Sequence, residues 1–531
     1  MTSHSGAEPL LGSVEYWAHK TPAAPALSDG TRKLDYAQWN DHANRLAELL
    51  VTRAQVAAGD HVALCMQNRL EWFITQAAVA KLGAILVPIS FRLTPSEIHY
   101  IAADSGAVAF AFDTQAVETL ASVWTDEPKV ERTSRVRFAI GLTRDGRSEL
   151  ATFAELSLDN TPPPRFAQRI PRSIVYTSGT TGRPRGVVHA HYKPKPSHHD
   201  AAEPKRTTRA DTLAAIAPDI RRNLLGAPLN HAAGQASALA THSVGGCVYV
   251  LPRFDAREAL RIMHEERITT SFLVPTMLNR ILNLPSTVLA AHDVSAIRRI
   301  TTGAAPCPQA IKEQVFAYFG PHCLYESYGT TEVGIVARMQ PEDHARKPGA
   351  CGRLVEGVDV QIRDTEGHNL VLGEVGEIFV RTPFMIERYL NEAPARELVD
   401  GYFATGDVGR FDADGFLYVV DRKKDMIIAG GVNIYPAEIE DALRKHPAVL
   451  DAAAFGVPDP DLGEQVRAVV ECVETQTVTE AELLSFLADH LAAYKRPRAI
   501  AIVLEIPRNP AGKVLKRQLR EPYWQHTGKQ I

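Results

Sequence analysis

The chain is poor in several features that would announce a function. Only six of its 531 residues are cysteine (Cys65, Cys247, Cys307, Cys323, Cys351 and Cys472), and no two form a CxxC pair. This excludes the dense disulfide framework that small secreted domains need and fits a reducing compartment. Neither sign of charge dominates: 58 Lys and Arg face 62 Asp and Glu, a formal net charge of −4, so no global field holds nucleic acid or an anionic membrane. The opening MTSHSGAEPLLGSVEYW carries His, Glu and Gly where a signal peptide needs a basic start and an unbroken apolar segment. Residues 232–252 lack charge but contain Gln235, Thr241, His242 and several Gly, Ser and Ala. They read as buried helix and strand, not as a membrane span. The expected location is therefore cytoplasmic, with no transmembrane segment and no nucleic-acid partner. The sequence has no internal repeat or heptad pattern, no GxxxxGK[ST] P-loop, no GxGxxG dinucleotide fingerprint and no GxSxG nucleophile elbow.

Hydrophobic residues at 45% and charged residues at 23% provide a core without the excess charge of a disordered chain. A length of 531 residues, at about 150 per domain, predicts more than one folding unit. From His61 to Ile89 a short apolar run, an amphipathic segment and a second apolar run predict strand, helix and parallel strand. The alternation recurs from Tyr249 to Gly329, which predicts a layered α/β architecture. Beyond Gly349 the pattern becomes one of strands and turns, with Asp414-Gly415 suited to a tight hairpin. After the charged run DRKKD at Asp421 a fresh α+β pattern begins. The expected division is a large N-terminal domain, 1–422, with a β-rich subdomain, and a small C-terminal α+β domain, 423–531. The His-, Lys- and Pro-rich stretch 189–206 reads as a loop.

The strongest local signal is YTSGTTGRPRG, Tyr176 to Gly186, directly after an apolar strand. Its glycines allow backbone N–H groups to converge on an anion; Thr177, Ser178, Thr180 and Thr181 add hydroxyls, and Arg183 and Arg185 add charge. Phosphate is the natural guest.

Taken with PLNHAAG at Pro228, YGTTE at Tyr328, YFATGD at Tyr402, DRKKDMIIAGGVNIYPAEIE at Asp421 and NPAGK at Asn509, the chain resembles the adenylate-forming superfamily. This superfamily comprises acyl-CoA synthetases, firefly-type luciferases and peptide-synthetase adenylation domains. The resemblance runs over nearly the whole chain. It implies that Thr177, Ser178, Gly179, Thr180, Thr181 and Gly182, with Arg185, wrap the phosphates of ATP. Arg185 departs from the lysine usual there, which keeps the charge but changes the contact geometry. It further implies that Tyr328 lies against adenine with Glu326 near it, that Thr331 contacts the α-phosphate, and that Glu332 holds Mg²⁺, as suits a carboxylate and a hard cation. Asp407 would accept from both ribose hydroxyls and Arg422 would approach the same sugar. Lys513 would be the catalytic lysine, a cation relieving the repulsion between an attacking carboxylate and an anionic phosphate.

By the same resemblance Lys424 is the hinge for a domain rotation between two half-reactions. Gly430 and Gly431 would border a tunnel for a thiol, and Tyr494 and Arg496, joined by Arg92, would meet the CoA nucleotide. His231 would lie beside the acyl group, and Gly303, Ala304 and Ala305 would form a small-residue wall that leaves room for a ring or a chain. Asn230 departs from the aromatic residue often found before that histidine. Cys307 reads as a buried structural thiol, and His189, His191, His198 and His199 have no matching ligand set for a metal.

The implied function is ATP- and Mg²⁺-dependent activation of a carboxylic acid to acyl-AMP, with pyrophosphate release and transfer to CoA. The segment DIRRNLLGAPLNHAAG is similar to that of aryl-CoA ligases, which points to an aromatic or medium-length acid. Two alternatives stand beside it: transfer of the acyl-AMP to a carrier-protein thiol, an amine or an oxygen, and a catalytically silent sensor of ATP or acyl-AMP.

Overall fold

In a computed structural model, residues 8–113, 138–141, 151–157, 163–178, 184–189, 219–392, 397–430, 432–473, 476–508 and 513–525 are described. They fall into two compact units, one drawn from 1–302, 313–325 and 384–395, the other from 303–312, 326–383 and 396–531.

The first unit is layered α/β. The βαβ segment read from sequence is present: His61–Cys65 and Ile85–Ile89 pair in parallel across the helix Leu70–Leu82. Ala109–Phe112, Phe138–Gly141 and Ala151–Thr152 extend this sheet in parallel on the other side of His61–Cys65. The helix Leu70–Leu82, read from sequence as amphipathic, is instead buried from Leu70 through Lys81, because its apolar residues are spread over all sides. A second sheet, mixed in direction, places Arg222–Leu225 in parallel between Cys247–Val250 and Thr270–Phe272. The charge-free stretch from Ala232 forms the helix Ala232–Ser243 and the strand Cys247–Val250, and no described helix is long and apolar enough to cross a membrane. Capping boxes fix two helix starts, Asp35 with Gln38 and Thr94 with Glu97.

The second unit is β-rich and then α+β. Gly376–Arg381 pairs antiparallel with Asp359–Arg363 and with Tyr402–Phe411. Tyr402–Phe411 turns back into Leu417–Arg422 through Asp414-Gly415, where Gly415 has a φ of 78°, the left-handed conformation that glycine adopts without strain. Beyond the linker, Val449–Asp459 and Gly463–Cys472 form a long antiparallel pair, to which Ala499–Val503 adds in parallel. The helices Pro436–Leu443 and Glu480–Ala488 bury Ile439, Leu443, Leu483 and Leu487 into its core. The stretch predicted as a loop at 189–206 lies outside the described residues apart from His189, which ends a strand.

Candidate active site

In the first unit the phosphate motif is a hairpin. Val175–Ser178 and Pro184–His189 pair antiparallel with Thr177 opposite Arg185, and Ile386–Tyr389 pairs on the far side of Pro184–His189. The loop residues Gly179, Thr180, Thr181 and Gly182 lie outside the described residues, as does the side chain of Ser178. The frame that holds them is fixed. The Tyr176 hydroxyl donates to Asp104 Oδ2 at 2.6 Å, and the Asn391 amide donates to the Asp104 carbonyl at 2.6 Å, so Asp104 pins the hairpin and the segment after its partner strand. A side chain at Gly186 would force Ile174 or Tyr176 to shift, because a Cβ there would stand 2.9 Å from Ile174 Cγ2 and 3.0 Å from the Tyr176 ring. The Arg185 guanidinium stacks 3.7 Å over the Tyr389 ring, with Glu392 Oε2 3.7 Å from its Nη1.

His231 occupies the N-cap position of the helix Ala232–Ser243, without a capping hydrogen bond from its side chain. Burial, with the charge of Arg92, pushes its pKa down to about 4, so the ring is neutral at pH 7. Its neighbour Ala233 packs with Ala227, Phe272, Val274 and Met277, an apolar wall suited to a hydrocarbon group. The loop carrying His231 is held by a residue the motifs did not flag: Asn68, which donates to the Ala227 carbonyl at 2.9 Å and accepts from the Leu229 N–H at 3.0 Å. Asn68 stands between a strand and the helix Leu70–Leu82, where a buried amide needs several partners.

In the second unit the residues assigned to ribose, adenine and catalysis converge. Tyr328 donates to Asp407 Oδ2 at 2.8 Å, while Arg422, opposite Asp407 in the strand pair, sets its Nε 3.2 Å from Oδ1. Burial and the Asp407 charge hold the Tyr328 phenol well above its usual range, so it stays a neutral donor. Each Asp407 oxygen thus has one partner and capacity to accept a further hydrogen bond. Lys513 belongs to the same group. Its pKa falls to about 7, chiefly from burial, then from the charges of Arg422 and Lys424, against which Asp407 and Asp425 pull. A lysine whose charge is this marginal gains it when anionic phosphates arrive. The sign follows: the cation is present below about pH 7 and lost above it. We expect kcat/KM for ATP in acyl-AMP formation, which reports the free enzyme, to fall as pH rises through about 7. A pH profile of pyrophosphate release checks this, and a flat profile from pH 6 to 9 contradicts it.

Thr331 and Glu332 occupy the turn between Leu324–Thr330 and Gly334–Met339. Among the described residues no three His, Cys, Asp or Glu side chains gather as a metal-binding group. A single protein carboxylate such as that of Glu332 is a donor suited to magnesium, which keeps waters and takes the rest of its shell from phosphate oxygens. Glu326 is buried and paired with Lys312 at 2.5 Å, a partner the motifs did not reveal. Gly303 approaches so closely that a Cβ would lie 2.5 Å from the Ser327 carbonyl oxygen, and Ala304 has a φ of 66°, strain of the kind found at ligand-contacting turns. Cys307 is buried, and burial with Glu326 raises its thiol to about 12, which suits the structural reading and not a nucleophile.

Of the residues assigned to the acceptor thiol, Gly430 has a φ of 56° at the end of a short strand pair, and Gly431 lies outside the described residues. Tyr494 is exposed. Arg496 donates to the carbonyls of Leu491 and Ala488, at 2.8 and 2.9 Å, closing the C-terminal end of the helix Glu480–Ala488. Its guanidinium therefore serves the fold of this domain first. The linker is gripped by Arg520, which donates to the carbonyls of Lys424 and Asp425 at 3.1 and 3.0 Å.

The class is that of the AMP-forming acid–thiol ligases. The AMP-binding enzyme family model matches residues 14–390 and its C-terminal domain model matches residues 438–513. The chain belongs to the AMP-binding enzyme family. It is 32% identical to the fatty acid–[acyl-carrier-protein] ligase ScoC of Streptomyces coeruleorubidus over 99% of each chain. It is 34% identical to indoleacetate–CoA ligase of Aromatoleum aromaticum over 96% of this chain and 97% of that one. Among solved structures it is similar to the amide bond synthetase McbA of Marinactinospora thermotolerans, with a TM-score of 0.78 and 29% identity over 94% and 97% of the two chains.

Proposed function

We propose that this protein activates a carboxylic acid with ATP and passes the acyl group to the thiol of CoA. The observation that carries the reading is the gathering of Tyr328, Asp407, Arg422 and Lys513. In the first half-reaction a carboxylate oxygen attacks the α-phosphorus and pyrophosphate leaves. Asp407 and Arg422 hold the ribose, the hairpin with Arg185 holds the phosphates, and Lys513 Nζ faces the charge that accumulates between two anions. Glu332 would hold magnesium, which supplies further charge neutralisation at the phosphates. In the second half-reaction the thiol sulfur attacks the acyl carbon and AMP departs with the former carboxylate oxygen. Neutral His231 and the Ala233–Phe272–Val274–Met277 wall suit an apolar acyl group, and we assign an aromatic or medium-length acid. We place the reaction in the cytoplasm, in keeping with six free cysteines.

We divide the chain at 422/423, with Lys424 as the hinge. Lys424 is the third residue of a turn in which the Asp425 N–H donates to the Arg422 carbonyl at 2.9 Å. Proline there would fix one φ and disfavour the turn. We expect Lys424→Pro to slow acyl-AMP formation severalfold and thioester formation much further. Single-turnover rates of the two steps check this, and equal loss in both removes Lys424 as a selective hinge.

The names of two relatives, a carrier-protein ligase and an amide synthetase, keep a second acceptor in view. A panel of aromatic and aliphatic carboxylates, assayed for pyrophosphate release with and without CoA, tests the reading. Acid-dependent release that yields thioester with free CoA supports it. Release that yields product only with a carrier protein or an amine reassigns the acceptor, and no release with any acid contradicts it.

A further inference from the structure

Arg185 sits where a phosphate-binding cation is expected, yet its flat face is already occupied. The Tyr389 ring, 2% exposed, lies 3.7 Å from the guanidinium carbon. The two side chains come from neighbouring strands, Pro184–His189 and Ile386–Tyr389, so their approach is set by backbone pairing and not by a mobile loop. Beyond Tyr389, Asn391 has a φ of 61° and donates to the Asp104 carbonyl, which bends the chain so that Glu392 Oε2 comes within 3.7 Å of Arg185 Nη1. That separation is an ion pair without a hydrogen bond, and the Glu392 side chain is 46% exposed, so a phosphate can displace it readily.

We propose that Tyr389 is a positioning residue for ATP binding: it holds the Arg185 guanidinium by its face so that its in-plane N–H groups are presented edge-on to the nucleotide's phosphates, with Glu392 as the resting counter-charge. This rests on the reading of Arg185 as a phosphate contact. The argument is one of shape. A guanidinium carries all five donors in its plane, so covering one face with an aromatic ring costs no donor and restricts the plane to orientations that can meet two phosphate oxygens at once. A lysine ammonium has no flat face to hold. The stacked tyrosine therefore accounts for why arginine serves at this position, and it implies that Arg185→Lys is not a conservative change here.

The test is the dissociation constant of MgATP, measured by calorimetry on the full chain without acid or CoA, so that the unidentified substrate plays no part. Arg185→Ala is expected to weaken binding at least tenfold. Tyr389→Leu, which removes the ring face, is expected to weaken it about tenfold, and Tyr389→Phe, which keeps the face, to restore it to within about twofold of the parent. Placed on Arg185→Ala, Tyr389→Leu should add nothing, because its effect passes through the guanidinium. Unchanged affinity in Arg185→Ala overturns the phosphate reading itself. Weakened binding in Arg185→Ala with unchanged binding in Tyr389→Leu overturns only the positioning role. A Tyr389→Leu loss that persists undiminished in the Arg185→Ala background assigns Tyr389 to the fold and overturns it as well. Should Tyr389→Leu not yield folded protein, Arg185→Lys decides: it is expected to bind MgATP about tenfold more weakly, and affinity equal to the parent's overturns the proposal.

Discussion

Replacing Lys513 with alanine is expected to slow acyl-AMP formation by about 10²-fold or more, while thioester formation from supplied acyl-AMP continues at a rate close to the parent's. The expectation follows from where Lys513 stands. Arg422 and Lys424 already press on its charge, and burial lowers its pKa to about 7, so the chain tolerates a costly cation at this position. Such a cost is useful only if an anion arrives to meet it, and the first half-reaction brings two, the acid's carboxylate and the α-phosphate. The second half-reaction expels AMP from a neutral acyl carbon and has less need of the same cation. Rapid-quench measurement of acyl-AMP and of thioester in separate experiments checks this, with the thermal midpoint as a control for folding. Near-parental adenylation by a folded Lys513→Ala protein contradicts the assignment.

Asp407→Ala should raise KM for ATP by roughly 10²-fold. The carboxylate is 4% exposed and engages Tyr328 and Arg422 at once. Its removal takes away the acceptor we propose for two ribose hydroxyls, and each hydrogen bond to a charged group is worth roughly 1.5–3 kcal/mol. It also leaves the Tyr328 hydroxyl and the Arg422 guanidinium without this partner, so a lower thermal midpoint should accompany the weaker binding. Initial rates of pyrophosphate release against ATP concentration give the KM. Unchanged KM means that the ribose sits elsewhere.

Local pattern made much of the first unit legible. The segment from His61 to Ile89 could be read because both strands are short, apolar and bounded by polar residues, and because a parallel pair needs a crossover of helical length. The Asp414-Gly415 hairpin was equally plain, since one glycine conformation defines it. Contacts between distant parts of the chain were not legible. Tyr389 lies some two hundred positions from Arg185, outside every motif, and only the pairing of their strands brings ring and guanidinium together. Lys312 belongs to no motif, and only the fold sets it against the buried Glu326. Asn68 gave no signal beyond its place between strand and helix, because its value lies in carbonyls more than 150 positions away. For Arg496 a different reading was available in sequence: an arginine shortly after a helix end is suited to close that end. The motif residues themselves were found through their resemblance to a family, and the structure adds that four of them, from three motifs and the linker, share one cluster of charges.

The central claim is an acyl-adenylate path ending in a CoA thioester, and the fate of a carboxylate oxygen tests it most directly. An accepted acid labelled with ¹⁸O in both carboxylate oxygens should be incubated with ATP, Mg²⁺ and CoA and the products analysed by mass spectrometry. Attack on the α-phosphorus followed by thiolysis predicts one ¹⁸O in AMP, one in the acyl-CoA, and none in the pyrophosphate. Label appearing in inorganic phosphate with ADP as co-product would contradict the account, because the acid would then have been activated at the γ-phosphorus.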